Sequence, residues 1–158
     1  MAYWLMKSEP DTFSIDDLAQ RPRQIEAWDG VRNYQARNFM RAMKAGDHAF
    51  FYHSSCAEPG IAGLMRVAVE AYPDPTQFDR KHHHYDPASK PEEPRWSLVD
   101  MQFERKLKRI ISLTELRAHA AQLPGFVLLI KGSRLSVQPV RAEHWDYILK
   151  LEKKAPKA

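Results

Sequence analysis

The stretch GIAGLMRVAVEAY, residues 60–72, carries the strongest indication of the fold. Its apolar and β-branched residues are typical of a long strand, and two glycines near its start allow a bend. Neighbouring stretches also have strand character, namely DHAFFYHS at 47–54 and RWSLVDMQFERKLKRII at 95–111, the latter fitting one strand or two. Near the ends of the chain, AYWLMKS at 2–8 and RLSVQPV at 134–140 complete the predicted sheet.

Helical patterns fall between these strands without a regular strand–helix–strand alternation. The predicted helices cover residues 13–20, 33–43, 112–122 and 142–151. Asn33 is the predicted cap of the second helix, and capping boxes are predicted from Ser14 with Asp17 and from Ser112 with Glu115. This mixture favours the α+β class, with a mixed sheet or small barrel, over a doubly wound fold.

Composition describes an ordinary globular chain with a modest positive charge. The 158 residues include 24 Lys and Arg against 20 Asp and Glu, a net charge of +4, which permits nucleic-acid binding without demanding it. Cys56 is the single cysteine, so an internal disulfide is excluded and a reducing compartment is expected. The sequence shows neither a signal peptide nor an apolar run of about 20 residues. We therefore expect a soluble, cytoplasmic protein with no membrane partner, and the oligomeric state stays open.

The chain length predicts one domain over residues 1–152, followed by a flexible basic tail at 153–158. Within the domain, residues 73–95 are polar and rich in proline, which predicts a loop inserted between strands. This loop contains the tract HHH at 82–84. Because the sequence has no cysteine pair and no HExxH spacing, we interpret the tract as solvated and predict no metal site and no cofactor.

Two further segments contain residue types used in catalysis or anion binding. HSSC at 53–56 places a histidine beside serine and cysteine, but a catalytic pair must meet in space rather than in sequence, so we predict no catalytic residues there. KGSRLSVQP at 131–139 holds a Gly-Ser turn flanked by cations, whose amides would suit an anion. A plain turn explains this second segment equally well.

Large aromatic side chains stand at the edges of loops. Trp28, Arg32 and Asn33 lie together in WDGVRN, and Trp96 follows the long polar loop. Exposed aromatic rings at such positions stack on planar bases, and guanidinium and amide groups suit base edges. The alternative is that these rings merely border the hydrophobic core, as we expect for Trp145, while Trp4 fits either interpretation.

Six motifs, taken in order along nearly the whole chain, resemble the EVE domain family. They are YWLMKSEPDTFSIDDL, WDGVRNYQARN, GDHAFFYHS, PGIAG, YDPAS followed by PRWSLVDMQF, and KGSRLSVQPV. Two positions depart from the family pattern. The HHH tract replaces tyrosine and small polar residues before YDPAS, which affects the outer rim of the implied pocket, and Arg141 replaces a serine cap of the last helix, which affects stability.

The resemblance implies a PUA-like fold, a curved and partly closed β-barrel of mixed strands flanked by helices, similar to YTH domains. It implies a non-catalytic module that binds a modified base, such as 5-methylcytosine or an oxidised derivative, in DNA or RNA. Carried onto this chain, it implies an aromatic-lined pocket built from Lys7, Ser8, Trp28, Val31, Arg32, Asn33, Tyr34, Tyr52, His53, Ser54, Trp96, Ser133, Arg134 and Leu135.

The physical chemistry of such a pocket agrees with these residue types. A base between aromatic rings gains apolar contact and stacking, and nearby cations attract the flanking phosphates. The cations expected to hold those phosphates are Arg32, Arg37, Lys131 and Arg134. Two alternatives stay open: a general RNA-binding module, and a small hydrolase acting on modified nucleosides. The hydrolase would draw its base and nucleophile from Lys7, Glu9, Tyr52 and His53.

Overall fold

The computed structural model describes residues 1–154, and residues 155–158 of the expected tail lie outside that range. Within it, a six-stranded sheet comprises β1 (Tyr3–Ser8), β2 (Ile25–Ala27), β3 (His48–His53), β4 (Gly60–Pro73), β5 (Ser97–Ser112) and β6 (Val137–Val140). The α-helices of this part of the chain are α1 (Ile15–Gln20), α2 (Tyr34–Ala42), α3 (Leu113–Ala118) and α4 (Ala142–Leu151). None of these described helices is long and apolar enough to cross a bilayer.

The strands lie side by side in the order β2–β5–β4–β3–β1–β6. β1 runs parallel to β3, and the other neighbouring pairs of the described sheet are antiparallel. The two edges are formed by β2 and β6, so the sheet is open rather than a closed barrel. The predicted α+β class with strands of mixed direction is confirmed.

The two longest strands, β4 and β5, form an antiparallel ribbon that is irregular along its length. Register shifts interrupt their pairing at several points, and such bulges increase the local twist. The stretch that fitted one strand or two is a single strand. A Cβ atom at Gly63 would lie 2.4 Å from Cδ1 of Ile15, so this glycine of β4 allows α1 to pack directly on the strand.

The sheet buries a hydrophobic cluster on each of its faces. Alternate residues of β1 divide between them, with Trp4 and Met6 in the first cluster and Leu5 in the second. Helices α1 and α2 contribute buried side chains to the first cluster, and α3 and α4 contribute to the second. Trp145 belongs to the second cluster, as predicted, and Trp4 is also a core residue whose indole N–H donates to Asp47 (3.1 Å).

Side-chain caps explain where the helices begin. Ser14 and Asp17 form the predicted capping box of α1, and Asn33 accepts a hydrogen bond from the backbone N–H of Ala36 (2.8 Å) as the predicted cap of α2. The prediction for α3 holds only for its serine cap, because the Glu115 carboxylate pairs with Arg109 (2.6 Å). At the start of α4, Arg141 makes no side-chain cap bond to described residues.

The short edge strand β2 was not predicted, because three residues, Ile25–Ala27, are too few to show a period-two pattern. It pairs with β5, and the ladder continues one residue further through a bond from the backbone N–H of Trp28 to the carbonyl of Val99 (2.8 Å). β2 therefore places Trp28 at the end of a strand, with a turn directly after it.

Candidate functional site

A cavity of about 580 Å³ opens where the ends of β1 and β2 meet the turn before β6. Five stretches of chain contribute to its wall. The lining residues are Lys7, Ser8, Glu9, Thr12, Phe13, Glu26, Ala27, Trp28, Asp29, Gly30, Val31, Arg32, His82, His83, His84 and Ser136. We call this cavity the Trp28 pocket.

Two aromatic side chains, Phe13 and Trp28, form the apolar part of the Trp28 pocket. Their rings meet edge to face with centroids 6.3 Å apart, and both rings pack on Phe51 of the first core cluster. Trp28 retains only 9% of its surface exposure. The aromatic wall is therefore held by the core before any ligand arrives.

The turn after Trp28 is tied to the long loop by a buried carboxylate. Gly30 has a φ of +79°, and its backbone N–H donates to Oδ2 of Asp74 (2.8 Å). The same oxygen accepts from Nη1 of Arg32 (3.1 Å). Burial opposes ionisation of Asp74, but hydrogen bonds from Thr76, Gly30 and Arg32 outweigh it and lower the pKa of this carboxyl.

Arg32 fastens the rim of the Trp28 pocket rather than projecting into solvent. Besides Asp74, its guanidinium donates to Oγ1 of Thr76 (3.2 Å) and to the backbone carbonyl of His84 (2.8 Å). These bonds occupy most of its donors. The expectation that Arg32 holds a phosphate must therefore be corrected, since its hydrogen bonds bind the loop to the Gly30 turn.

The histidine tract forms the outer rim of the same pocket. A Cβ atom at Gly30 would lie 2.2 Å from the His84 ring, so that ring rests directly on the glycine. His84 is only partly exposed, and its Nδ1 is buried without a hydrogen-bond partner among residues 1–154. The interpretation of the tract as solvated is thus wrong for His84, which packs inward because Arg32 fixes its backbone carbonyl.

The three histidines are also the described group best placed to hold a metal ion. Ligand nitrogens of His82, His83 and His84 lie within 4.8 Å of one another, and imidazoles suit zinc, nickel and copper. The rings are packed against each other, with centroid separations of 3.9 to 4.8 Å. The absence of a metal site stays a prediction of the sequence.

The charges around the Trp28 pocket include more carboxylates than cations. Glu9, Glu26 and Asp29 line the cavity together with Lys7 and Arg32, and Glu26 also pairs with Arg21 (2.6 Å) outside the lining. Burial lowers the pKa of Lys7. This arrangement offers hydrogen-bond acceptors for amino groups and disfavours a phosphate inside the cavity.

Five of the predicted site residues line the Trp28 pocket together, namely Lys7, Ser8, Trp28, Val31 and Arg32. The structure separates the two tryptophans, because Trp96 lies outside this lining. Its indole N–H donates to Asp86 (2.7 Å), and its ring stacks on Tyr34 with centroids 4.8 Å apart. Asn33, between the two regions, uses its side-chain oxygen to cap α2.

The predicted residues of β3 serve the framework. Tyr52 is 3% exposed and belongs to the second core cluster. Burial lowers the pKa of His53, which favours the neutral ring, and its Nε2 accepts from the backbone N–H of Ile15 (3.2 Å) at the start of α1. Ser54 donates its backbone N–H to the carbonyl of Ser8 (2.9 Å) and extends the pairing with β1.

The predicted residues of the last turn also lie outside the pocket lining. Ser133 closes the turn through a bond from its backbone N–H to the carbonyl of Ile130 (3.1 Å), Arg134 follows it, and Leu135 packs against the first core cluster. The next residue, Ser136, reaches the cavity. The last turn therefore reaches the pocket through Ser136 and not through the three predicted residues.

Sequence reasoning missed several lining residues, of which Phe13 matters most. A signal for it was present, because an apolar residue directly before a serine cap commonly packs against the helix that follows. Gly30 was also identifiable from its Asp-Gly turn. The three carboxylates had no such signal, since charged residues near turns are common on any surface.

An open mixed sheet with helices on both faces and a cavity at the strand ends defines a PUA-like α+β domain. The family model described as EVE domain matches residues 2–151, so the chain belongs to the EVE domain family. The resemblance inferred from the six motifs is confirmed.

Relatives and solved structures align with nearly the whole chain. Human thymocyte nuclear protein 1 is 54% identical over 98% of this chain and 76% of its own length. A crystal structure of human THYN1 in complex with 5-methylcytosine-containing DNA covers 99% of this chain and all of that one, with a TM-score of 0.94 and 53% identity. A YTH domain from Zygosaccharomyces rouxii, solved with N6-methyladenosine RNA, covers 99% of this chain and 87% of that one at 15% identity and a TM-score of 0.52, which concerns the fold alone.

Proposed function

We propose that this protein is a non-catalytic reader that binds a modified, flipped-out base of DNA or RNA in the Trp28 pocket. The observation that carries the proposal is the combination of a preformed aromatic wall with polar acceptors in one cavity. The similarity to human THYN1, whose structure contains 5-methylcytosine DNA, supports the same ligand class.

The pocket has the size and composition that a base requires. Its volume of about 580 Å³ falls within the range of about 300–1,000 Å³ usual for small-molecule sites. A flipped base is held by stacking on aromatic rings and by hydrogen bonds to its Watson–Crick edge. Phe13 and Trp28 supply the rings, and Glu9, Glu26 and Asp29 supply acceptors suited to the amino group of cytosine or adenine.

Recognition of the modification itself requires only a fitted apolar niche. A methyl group in such a niche contributes about 1–3 kcal/mol of discrimination. We expect a preference for the modified base of roughly one to two orders of magnitude, superimposed on a weaker general affinity for nucleic acid.

The arrangement gives less support to a hydrolase. Of the residues considered for that role, Lys7 and Glu9 line the pocket, whereas Tyr52 and His53 are buried in the framework. Incubation with modified nucleosides followed by product analysis tests this alternative. Turnover that disappears in Lys7→Ala would show that the protein is an enzyme and would refute the proposed non-catalytic function.

Titration of labelled oligonucleotides tests the proposed function directly. Matched strands carrying cytosine, 5-methylcytosine, 5-hydroxymethylcytosine or N6-methyladenine are compared at one salt concentration, together with a folded RNA. We expect one modified strand to bind most tightly, and Trp28→Ala to remove that preference while Trp28→Phe keeps part of it. Equal affinity for all strands, unchanged in Trp28→Ala, would refute the proposal, and preference for the folded RNA would favour a general RNA-binding module.

The cytoplasmic location remains a prediction. The vertebrate relatives carry a nuclear name, and both compartments are reducing and contain nucleic acid. We propose that the protein acts where its nucleic-acid target lies, which cell fractionation with the tagged chain would establish.

A further inference from the structure

A second depression, of about 540 Å³, lies between α2 and the end of the long loop. Its lining contains four cations and one carboxylate among its residues, which are Arg37, Arg41, Ala88, Lys90, Glu93, Pro94 and Arg95. We call it the Arg37 groove. Its charge is opposite in sign to the carboxylate-rich lining of the Trp28 pocket.

Neutral acceptors hold the two helix arginines of this groove in place. Nη1 of Arg37 donates to the backbone carbonyl of Arg95 (2.9 Å), and its Nε donates to Oδ1 of Asn38 (3.1 Å). Nε of Arg41 donates to Oγ of Ser97 (3.0 Å). These bonds orient the guanidinium groups without neutralising them, since a guanidinium stays protonated in proteins.

The two arginines meet at the carbonyl of Arg95, which accepts from Nη1 of Arg37 (2.9 Å) and from Nη2 of Arg41 (3.3 Å). Burial, together with the charge of Arg37, lowers the pKa of Arg41. A surface that gathers like charges in fixed positions is suited to an anion that contacts both.

A cluster of contacting side chains, Arg32, Trp96, Tyr34 and Arg37, joins the groove to the Trp28 pocket. The guanidinium of Arg32, on the pocket rim, lies 5.5 Å from the centroid of the Trp96 ring, which stacks on Tyr34. The guanidinium of Arg37 lies beside both rings, 4.7 Å from the Tyr34 centroid and 6.0 Å from the Trp96 centroid. Tyr34 is 51% exposed, so part of its ring is open to solvent.

We propose that the Arg37 groove holds the phosphodiester backbone next to the flipped base, and that Tyr34 stacks on a neighbouring base. The inference rests on the proposed function and adds the path of the strand. The carboxylates of the Trp28 pocket repel a phosphate. The cations of the neighbouring Arg37 groove attract it. Aromatic stacking beside a basic groove is how single strands are bound without regard to sequence.

The test replaces the two helix arginines together, in Arg37→Gln/Arg41→Gln. Affinity is measured over a range of salt concentrations for a modified strand and its unmodified twin. We expect both strands to bind about tenfold more weakly, with their affinity ratio unchanged. The slope of log K against log salt should become less steep by about 0.9 per lost contact on duplex DNA, or about 0.7 on a single strand.

Two control variants separate a contact from a general effect. Arg66→Gln/Arg117→Gln makes the same change of charge at exposed positions outside both cavities and should leave the slope unchanged. Arg37→Lys/Arg41→Lys keeps the charge and should restore most of the slope, even if the loop bonds weaken. Thermal melting of each variant establishes that it is folded.

The outcomes distinguish this inference from the reader itself. The groove variant and the Arg66/Arg117 control could lose affinity and salt slope equally. That result would refute the Arg37 groove as the phosphate site, because net charge alone would then explain binding. The variant Arg37→Gln/Arg41→Gln could lower the affinity and the salt slope in a protein that shows no preference for any modified base. That result would support the Arg37 groove as a phosphate site and refute the proposed recognition of a modified base. Loss of the preference only, with an unchanged slope, would also overturn the groove.

Discussion

Trp28 and Trp96 look alike by burial, with 9% and 6% of their surfaces exposed, but their surroundings differ. Beside Trp28 lies a cavity of about 580 Å³ lined by carboxylates. The Trp96 ring is stacked on Tyr34, lies under the guanidinium of Arg32, and has its N–H bonded to Asp86. Trp28 has space for a ligand beside it, whereas Trp96 has already found protein partners.

The comparison shows that an aromatic residue at a loop edge has two possible uses. Trp96 organises the loop between β4 and β5, since its backbone also bonds to the buried side chain of Gln77 at both N–H (3.0 Å) and C=O (2.9 Å). Trp28 instead rests on the core through Phe51. One ring stabilises a segment, and the other borders an open cavity.

The largest expected effect is on stability, in Trp96→Ala. Removal of a buried tryptophan costs about 3–5 kcal/mol, and here it also leaves Oδ2 of Asp86 without the indole donor. Chemical denaturation measures the loss. Trp96→Phe keeps the ring and should lose less, with base binding retained. If Trp96→Phe removed the preference for a modified base as fully as Trp28→Ala, the division between the two tryptophans would be wrong.

Asp74→Asn should have the next largest effect, because it removes a buried charge that accepts from Gly30 and Arg32. We expect a loss of about 2–3 kcal/mol at pH 7. The folded pKa of Asp74 lies below its ordinary value of 3.8, so its stabilisation is present above that value and is lost as the pH falls through the folded pKa. The gap between wild type and variant should therefore shrink below pH 3.8. Asp11→Asn, on an exposed turn, is the control and should show neither effect.

Gly30→Ala tests the rim of the Trp28 pocket alone. The positive φ at Gly30 costs a residue with a side chain about 1–2 kcal/mol, and the new methyl group must also displace the His84 ring. Gly132 is a matched control, with a φ of +80° and nothing within 4 Å of an added Cβ. Gly132→Ala should lose stability without loss of base binding. Equal binding loss in both variants would show that His84 is irrelevant to the ligand.

The smallest expected effect is that of Tyr34→Ala, at the exposed part of the cluster of Arg32, Trp96, Tyr34 and Arg37. We expect binding to weaken by about 1 kcal/mol, the low end of the range for one stacked base, with stability almost unchanged. Oligonucleotide titration beside Tyr34→Phe, which keeps the ring, measures it. Weaker binding in Tyr34→Phe as well would point to the hydroxyl rather than to stacking.

Five of the predicted site residues line the Trp28 pocket together, and their role in binding stays a prediction. WDGVRN identified Trp28, Val31 and Arg32, and the end of β1 identified Lys7 and Ser8, because these residues are contiguous with secondary structure that periodicity reveals. The sequence did not reveal that Tyr52 lies in the second core cluster and not in the pocket. Neighbouring residues of a strand point to opposite faces, and the sheet separates two cores. Nor did the sequence reveal the role of Asp74, which bonds to Gly30 and Arg32 across more than 40 residues of chain.

The sequence by itself determined the four α-helices and every strand of the described sheet except β2. Strand and helix patterns, the Ser14 and Asn33 caps and the motifs of the EVE family all depend on residues near each other in the chain, so they can be read there. Only the tertiary structure decided which tryptophan borders an open cavity, that Arg32 pairs with a buried carboxylate whereas Arg37 and Arg41 meet neutral acceptors, and that His84 closes a rim. Those choices depend on packing and hydrogen bonds between segments far apart in sequence, and the chain encodes them only through its complete fold.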